Sequence, residues 1–167
     1  MRNRVYFGRF DAPFWPALGE LKPYFLPTAG QAWFNSGGND TASLTLEGVD
    51  GTDHLDQYNG RIDISLQMVG HPTYGVFLFY EKTGAVRYSS KGDMTKFKTY
   101  LRTLHDDLRT LAFFIPFDKA WLAVKEFIET DGQLPKSIEW VNMKGLQGDP
   151  FPVPHHVPSP DETILER

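Results

Sequence analysis

The stretch IPFDKAWLAVKEFIETDGQLPKSIEW, residues 115–140, constrains this chain more than any other. Ala120, Trp121, Val124, Phe127 and Ile128 recur at i, i+1, i+4, i+7 and i+8, so one face of a helix is apolar and must lie on a core. Pro116 suits the helix start, where a missing N–H costs no hydrogen bond. Asp131-Gly132 supply a stop in which Gly can take a positive φ, and Pro135 keeps the helix from restarting. The spacing predicts a helix over 116–130. In the following Ser137-Ile138-Glu139-Trp140-Val141, Ile138 and Trp140 alternate onto one face, which predicts a strand in the sheet beneath that helix.

Upstream, the pattern is that of antiparallel strands. Residues 43–47 alternate around Leu44 and Leu46, and residues 62–68 around Ile62, Ile64, Leu66 and Met68. Val76–Tyr80 is apolar on both faces and reads as central. Glu81-Lys82-Thr83-Gly84 then forms a turn into Ala85–Ser89, a hairpin with Gly where a left-handed backbone is needed. Trp15, Leu18 and Leu21 point to a short N-terminal helix bounded by Pro16 and Pro23. Residues 97–115 fit two patterns. Phe97, Tyr100, Leu101, Leu104, Leu108, Leu111 and Ala112 follow a helix period, whereas Thr99, Thr103, Thr110 and the His105-Asp106-Asp107 break fit two strands and a turn.

The run IPFDKAWLAVKEF, then a Gly, then LPKSIEW, resembles the C-terminal signature of immunity protein family 1 of bacterial polymorphic-toxin systems. GVFLFYEKTGAVRYSSKGD is similar to that family's paired strands around a Gly turn. The resemblance favours the hairpin over the helix for residues 97–115. It implies a non-enzymatic inhibitor that binds one cognate toxin domain, of deaminase or nuclease type, and denies it substrate. The expected architecture is α+β: over residues 1–141, a single domain with a mostly antiparallel sheet packed by one main C-terminal helix and a short N-terminal helix. Residues 142–167, with five of the chain's twelve prolines, form a Pro-rich tail.

Several chemistries are poorly served by this sequence. There is no cysteine, hence no disulfide framework, thiol nucleophile or thiolate metal site. That also removes the zinc-ligand signature of a nucleic-acid deaminase. No two of the five histidines, His54, His71, His105, His155 and His156, stand four apart with a carboxylate between, as a helical zinc site requires. No nucleophile elbow, phosphate-binding loop or dinucleotide fingerprint occurs. No cofactor and no metal is expected. MRNRVYFGRFDAPFW lacks an apolar signal core and no apolar run is long enough to span a bilayer, so a cytoplasmic protein without a membrane partner is expected.

The candidate site residues are acidic. Asp50, Asp53 and Asp56, with Asp63 just beyond, crowd the segment GVDGTDHLDQYNGR, whose spacing does not match a calcium loop. As a general acid–base pair they lack any supporting motif, and a solvated acidic loop is the plainer reading. Given the resemblance, Asp50, Asp53, Asp56 and Tyr58 are instead expected to present carboxylates and an aromatic ring to a basic, phosphate-gripping toxin groove. Asp106 and Asp107, at the hairpin tip, form a second candidate contact beside their ordinary use in turns. The alternative function is single-strand nucleic-acid binding through Lys98, Tyr100 and Arg102, which share a face if residues 97–104 are a strand. Nucleic acid is disfavoured by the net charge of −4.

Overall fold

The computed structural model describes residues 2–7, 10–26, 33 and 40–166. Its main sheet runs in the order β10-β6-β5-β4-β3-β1-β2, with β9 also paired to β5, and every pairing in it is antiparallel. The strands are β1 (Arg2–Phe7), β2 (Phe10–Ala12), β3 (Thr41–Val49), β4 (Ile62–His71), β5 (Gly75–Lys82), β6 (Val86–Ser90), β9 (Phe114–Ile115) and β10 (Trp140–Asn142). A second sheet, β11-β7-β8, is built from β7 (Thr99–Arg102), β8 (Leu108–Thr110) and β11 (Thr163–Leu165), with β11 parallel to β7. Residues 97–115 therefore contain the hairpin, closed by a 3₁₀ turn at Leu111–Phe113 and by β9.

Among the described residues, the helices Leu18–Phe25 and Phe117–Glu129 lie on one face of the main sheet. The helix α1 (Leu18–Phe25) starts where Glu20 accepts a hydrogen bond from the Ala17 N–H at 3.0 Å. It runs through Pro23 rather than ending there; over so short a helix the ring forfeits one backbone bond, and burial of Leu21, Tyr24 and Phe25 on both sides of it outweighs that loss. The helix α2 (Phe117–Glu129) has Pro116 and Thr130 as its caps. It buries Ala120, Trp121, Val124 and Phe127, the stripe read from the sequence, against Leu44, Leu66, Leu78 and Tyr80 of the sheet.

The stop after α2 divides its work between two residues. Asp131 takes the left-handed backbone (φ 48°) and donates its N–H to Ile128, while the Gly132 N–H reaches back to the Phe127 carbonyl at 2.9 Å. Gly132 has its own reason to be glycine: its φ is 91° and a Cβ there would lie 2.5 Å from Leu46 Cδ1. Its carbonyl accepts from the Tyr80 hydroxyl at 2.8 Å, which ties the helix end to β5.

The strand expected over 137–141 begins only at Trp140. Glu126 is the cause. Its carboxylate accepts the backbone N–H groups of Lys136 and Ser137 at 2.8 and 2.9 Å, so those two residues bond to the helix, and only Glu139, whose carbonyl accepts the Lys91 N–H, reaches the end of β6 before Trp140. Ile138 and Trp140 still share the inner side, packed on the same core as α2.

The opposite sheet face carries a second apolar cluster. Val69, Phe77, Leu101, Leu111, Phe113 and Phe114 are buried there, with Phe79, Phe97, Phe151 and Leu165 packed around them. β5 is thus apolar on both faces because both are covered, Val76, Leu78 and Tyr80 by the helices and Phe77 and Phe79 by the second cluster. No helix among the described residues is long and apolar enough to cross a membrane.

Candidate partner-binding surface

Asp50, Asp53, Asp56 and Tyr58 all fall on the connection between β3 and β4, residues 50–61. A β-bulge between Glu47 and Val49 turns the end of β3. Gly48 makes the turn with φ 73°, and a Cβ on it would lie 2.5 Å from Asp53 Cα, so the loop folds back onto its own strand. The loop is cross-braced. Thr52 donates its N–H and its hydroxyl to the Val49 carbonyl at 3.2 and 2.6 Å, and its hydroxyl accepts the Ile62 N–H at 2.9 Å.

At the base, Arg61 makes a two-pronged contact to Asp63, both bonds 2.9 Å, with Glu47 at 3.8 Å. Burial pushes the Asp63 carboxyl up, but the Arg61 guanidinium and the Gly48 N–H outweigh it and hold the group below the usual carboxylate range. Asp63 is therefore a structural acid, not part of the presented set.

The presented acids differ in how free they are. Asp50 takes a left-handed backbone (φ 56°) and pairs with Lys82 at 2.6 Å. Asp56 accepts from the Asn59 side chain at 2.6 Å and from the Tyr58 N–H at 2.8 Å, which keeps its carboxyl ionised below the ordinary Asp range. Those bonds also fix the backbone under Tyr58, whose ring is 86 % exposed, the most exposed large apolar side chain among the described residues. An aromatic ring held outward on a rigid loop beside ionised carboxylates is an arrangement that can meet a cationic protein surface.

Asp106 and Asp107 lie elsewhere. The β7–β8 turn is fastened to residue 40, at the start of β3, by the Leu104 N–H bonding to Asp40 at 2.9 Å. The loop 50–61 leaves the other end of β3, so at about 3.3 Å per residue the two acid groups stand roughly 30 Å apart. Asp106 pairs with Arg102 at 3.1 Å, and Asp107 with Arg109 at 3.5 Å. Thr103 and Asp107 close the turn, with the Thr103 N–H on the Asp107 carbonyl at 2.8 Å.

The strip Lys98, Tyr100 and Arg102 is covered by the C-terminal segment. Tyr100 is 5 % exposed, its hydroxyl on the Asp149 carbonyl and its ring edge-on to His156. Lys98 pairs with Asp161, and Arg102 with Glu166 at 2.9 Å and with the Pro154 carbonyl at 2.8 Å. His156 contacts Glu162 at 2.7 Å. Base stacking needs an exposed ring, so this strip does not serve a single strand while the tail is docked. Trp121 is buried in the core and Trp140 packs against it, so neither ring is offered to a partner.

Sequence reasoning did not single out Arg61, Lys82 or Asn59, which brace the loop, since nothing in a linear reading separates a bracing cation from a solvated one. Leu122 was also passed over. It lies off the apolar stripe of α2 and is half exposed, and that departure from the pattern was its signal.

Comparison with known proteins adds one finding. The family model described as immunity protein Imm1 matches residues 32–142, from before β3 through β10, which is more than half of the 167-residue chain. No curated protein and no solved structure matches.

Proposed function

Since the chain belongs to the Imm1 family of immunity proteins, we propose that it binds a cognate toxin domain of deaminase or nuclease type and blocks the access of substrate. It acts by occupancy rather than by catalysis, in the cytoplasm where such a toxin meets nucleic acid. The observation that carries the choice of surface is the β3–β4 loop: Asp50, Asp53, Asp56 and an exposed Tyr58 on a backbone fixed by Thr52, Asp56 and Arg61.

A toxin domain that grips phosphates presents a basic groove. Carboxylates offered to that groove compete with the substrate's own charge, and Tyr58 supplies apolar area that loses little side-chain freedom on binding. Rigidity matters because each side chain ordered on binding lowers affinity, and a loop already ordered avoids that cost. Asp106 and Asp107 make at most a separate contact, given their place at the far end of β3.

Co-expression with the toxin domain encoded beside it tests the reading: co-purification and rescue of growth are expected, and a folded chain that gives neither overturns it. Asp53→Lys with Asp56→Lys locates the surface. Association should slow about tenfold or more at low salt with a smaller change in dissociation, and the difference from wild type should shrink as salt rises. Unchanged association kinetics would move the interface off this loop.

A further inference from the structure

We infer that the groove between α2 and residues 135–139 is a second docking surface, for an acidic protein segment carrying an apolar side chain. The inference does not rest on the toxin reading. The groove encloses about 330 Å³, and Lys91, Lys119, Leu122, Lys136, Ile138 and Glu139 line it. Both walls are fixed. Lys119, Leu122 and Glu126 follow one another at i, i+3 and i+7 on one face of α2. The Glu126 carboxylate holds the Lys136 and Ser137 N–H groups, which sets the opposite wall alongside Leu122. The Lys91 N–H on the Glu139 carbonyl, 3.0 Å, ties that wall to the end of β6.

Charge and apolarity name the occupant. Lys91, Lys119 and Lys136 are exposed, and among the described residues none has an ion-pair partner within 4.0 Å. Glu139 is the one acid in the lining; the Glu126 carboxylate stands behind it on the Lys136 and Ser137 N–H groups, within electrostatic reach of Lys136, so three lysines face two acids. This is a local excess of positive charge in a chain of net −4. Leu122 is 50 % exposed, with half-buried Ile138 in the facing wall. Single exposed apolar residues are ordinary; one set in a groove and ringed by lysines without a direct ion-pair contact is an anchor position flanked by steering charges. No aromatic ring lines the groove, so it has no platform for stacking bases, and a peptide is the better fit than a nucleic-acid strand.

The test titrates the ¹⁵N-labelled full chain with a blocked nonapeptide of eight glutamates around a central leucine, at about 50 mM salt, where the Debye length is still above about 10 Å. Saturable amide shifts centred on Lys91, Leu122 and Lys136 are expected. Replacing the peptide's leucine by alanine should weaken binding about fivefold or more. Leu122→Ala should do the same, and Lys119→Glu with Lys136→Glu should abolish binding; all three positions are exposed, so the fold is kept, as the unperturbed remainder of the spectrum would confirm. Shifts that are absent or centred elsewhere would overturn the proposal. So would equal binding of the leucine and alanine peptides, which reduces the groove to charge alone, or tighter binding of a nine-nucleotide thymidine strand, which makes the partner a nucleic acid.

Discussion

Glu126 shows how one side chain decides a local structure. Periodicity marks it as an outward-facing helix residue, yet it takes two backbone N–H groups from across the chain. Those bonds, led by the one from Lys136, hold its carboxyl below the ordinary Glu range. A depressed folded pKa stabilises the structure above the unfolded value, about 4.3, and that stability is lost as pH falls through the folded value. The amide resonances of Lys136 and Ser137 should therefore titrate together with a midpoint below about 4.3. A midpoint at or above that value would mean that the carboxylate does not hold the segment. Asp56 acts the same way on a smaller scale, and Asp56→Ala should broaden or shift the Tyr58 amide while leaving the urea midpoint unchanged, since the site is exposed.

At the scale of elements, α2 and its stop bear most on stability. Phe127 is fully buried between α2 and the sheet, in edge contact with Trp15 and Tyr80. Phe127→Ala should cost about 3–5 kcal/mol by the lost transfer energy and the cavity left behind. Gly132→Ala combines a positive φ with a Cβ driven into Leu46, so it should cost more than the roughly 1 kcal/mol of an ordinary glycine replacement. Urea denaturation measures both; a Gly132→Ala variant as stable as wild type would show that the Leu46 side chain simply moves aside. The apolar stripe of α2, the turn at Gly84 and the alternation of β3 and β4 were all legible because each is a local pattern whose cause lies within a few residues. The late start of β10 was not, because the competitor for its backbone lies ten residues back on a helix.

For the whole molecule, the C-terminal segment supplies a layer. Phe151 sits against Phe77 and Phe79, with the Arg109 guanidinium 5.1 Å from its ring centroid, and β11 adds to β7. Its ion pairs are mostly solvent-exposed: Asp161 and Glu166 are 58 % and 67 % exposed. Exposed pairs contribute little, whereas full burial of a Phe is worth about 1.5–3 kcal/mol and half-buried Phe151 keeps a good part of that. Phe151→Ala should then lower stability more than Asp161→Asn and Glu166→Gln together. If the charge variants prove the costlier, the tail is held ionically and high salt should release it.

By itself the sequence determined the types of β3 to β6 and of α2, the fold class and the family, because these rest on periodicity, turn residues and a signature that are local in the chain; β1, β2 and β11 were not read from it. It also marked the acidic loop, though not what its acids are bonded to. Tertiary structure alone decided that. Asp63 is consumed by Arg61, Asp50 is paired with Lys82, and Asp106 and Asp107 stand at the opposite end of β3. It also covered the cationic strip of β7 with the tail and assembled a lysine-rimmed groove from a helix, a strand end and an irregular segment. The physical reason is that a charge is read by what stands within a few ångströms of it: Arg61 lies two residues from Asp63, but Lys82, Asp161 and Glu166 reach their partners from distant parts of the chain.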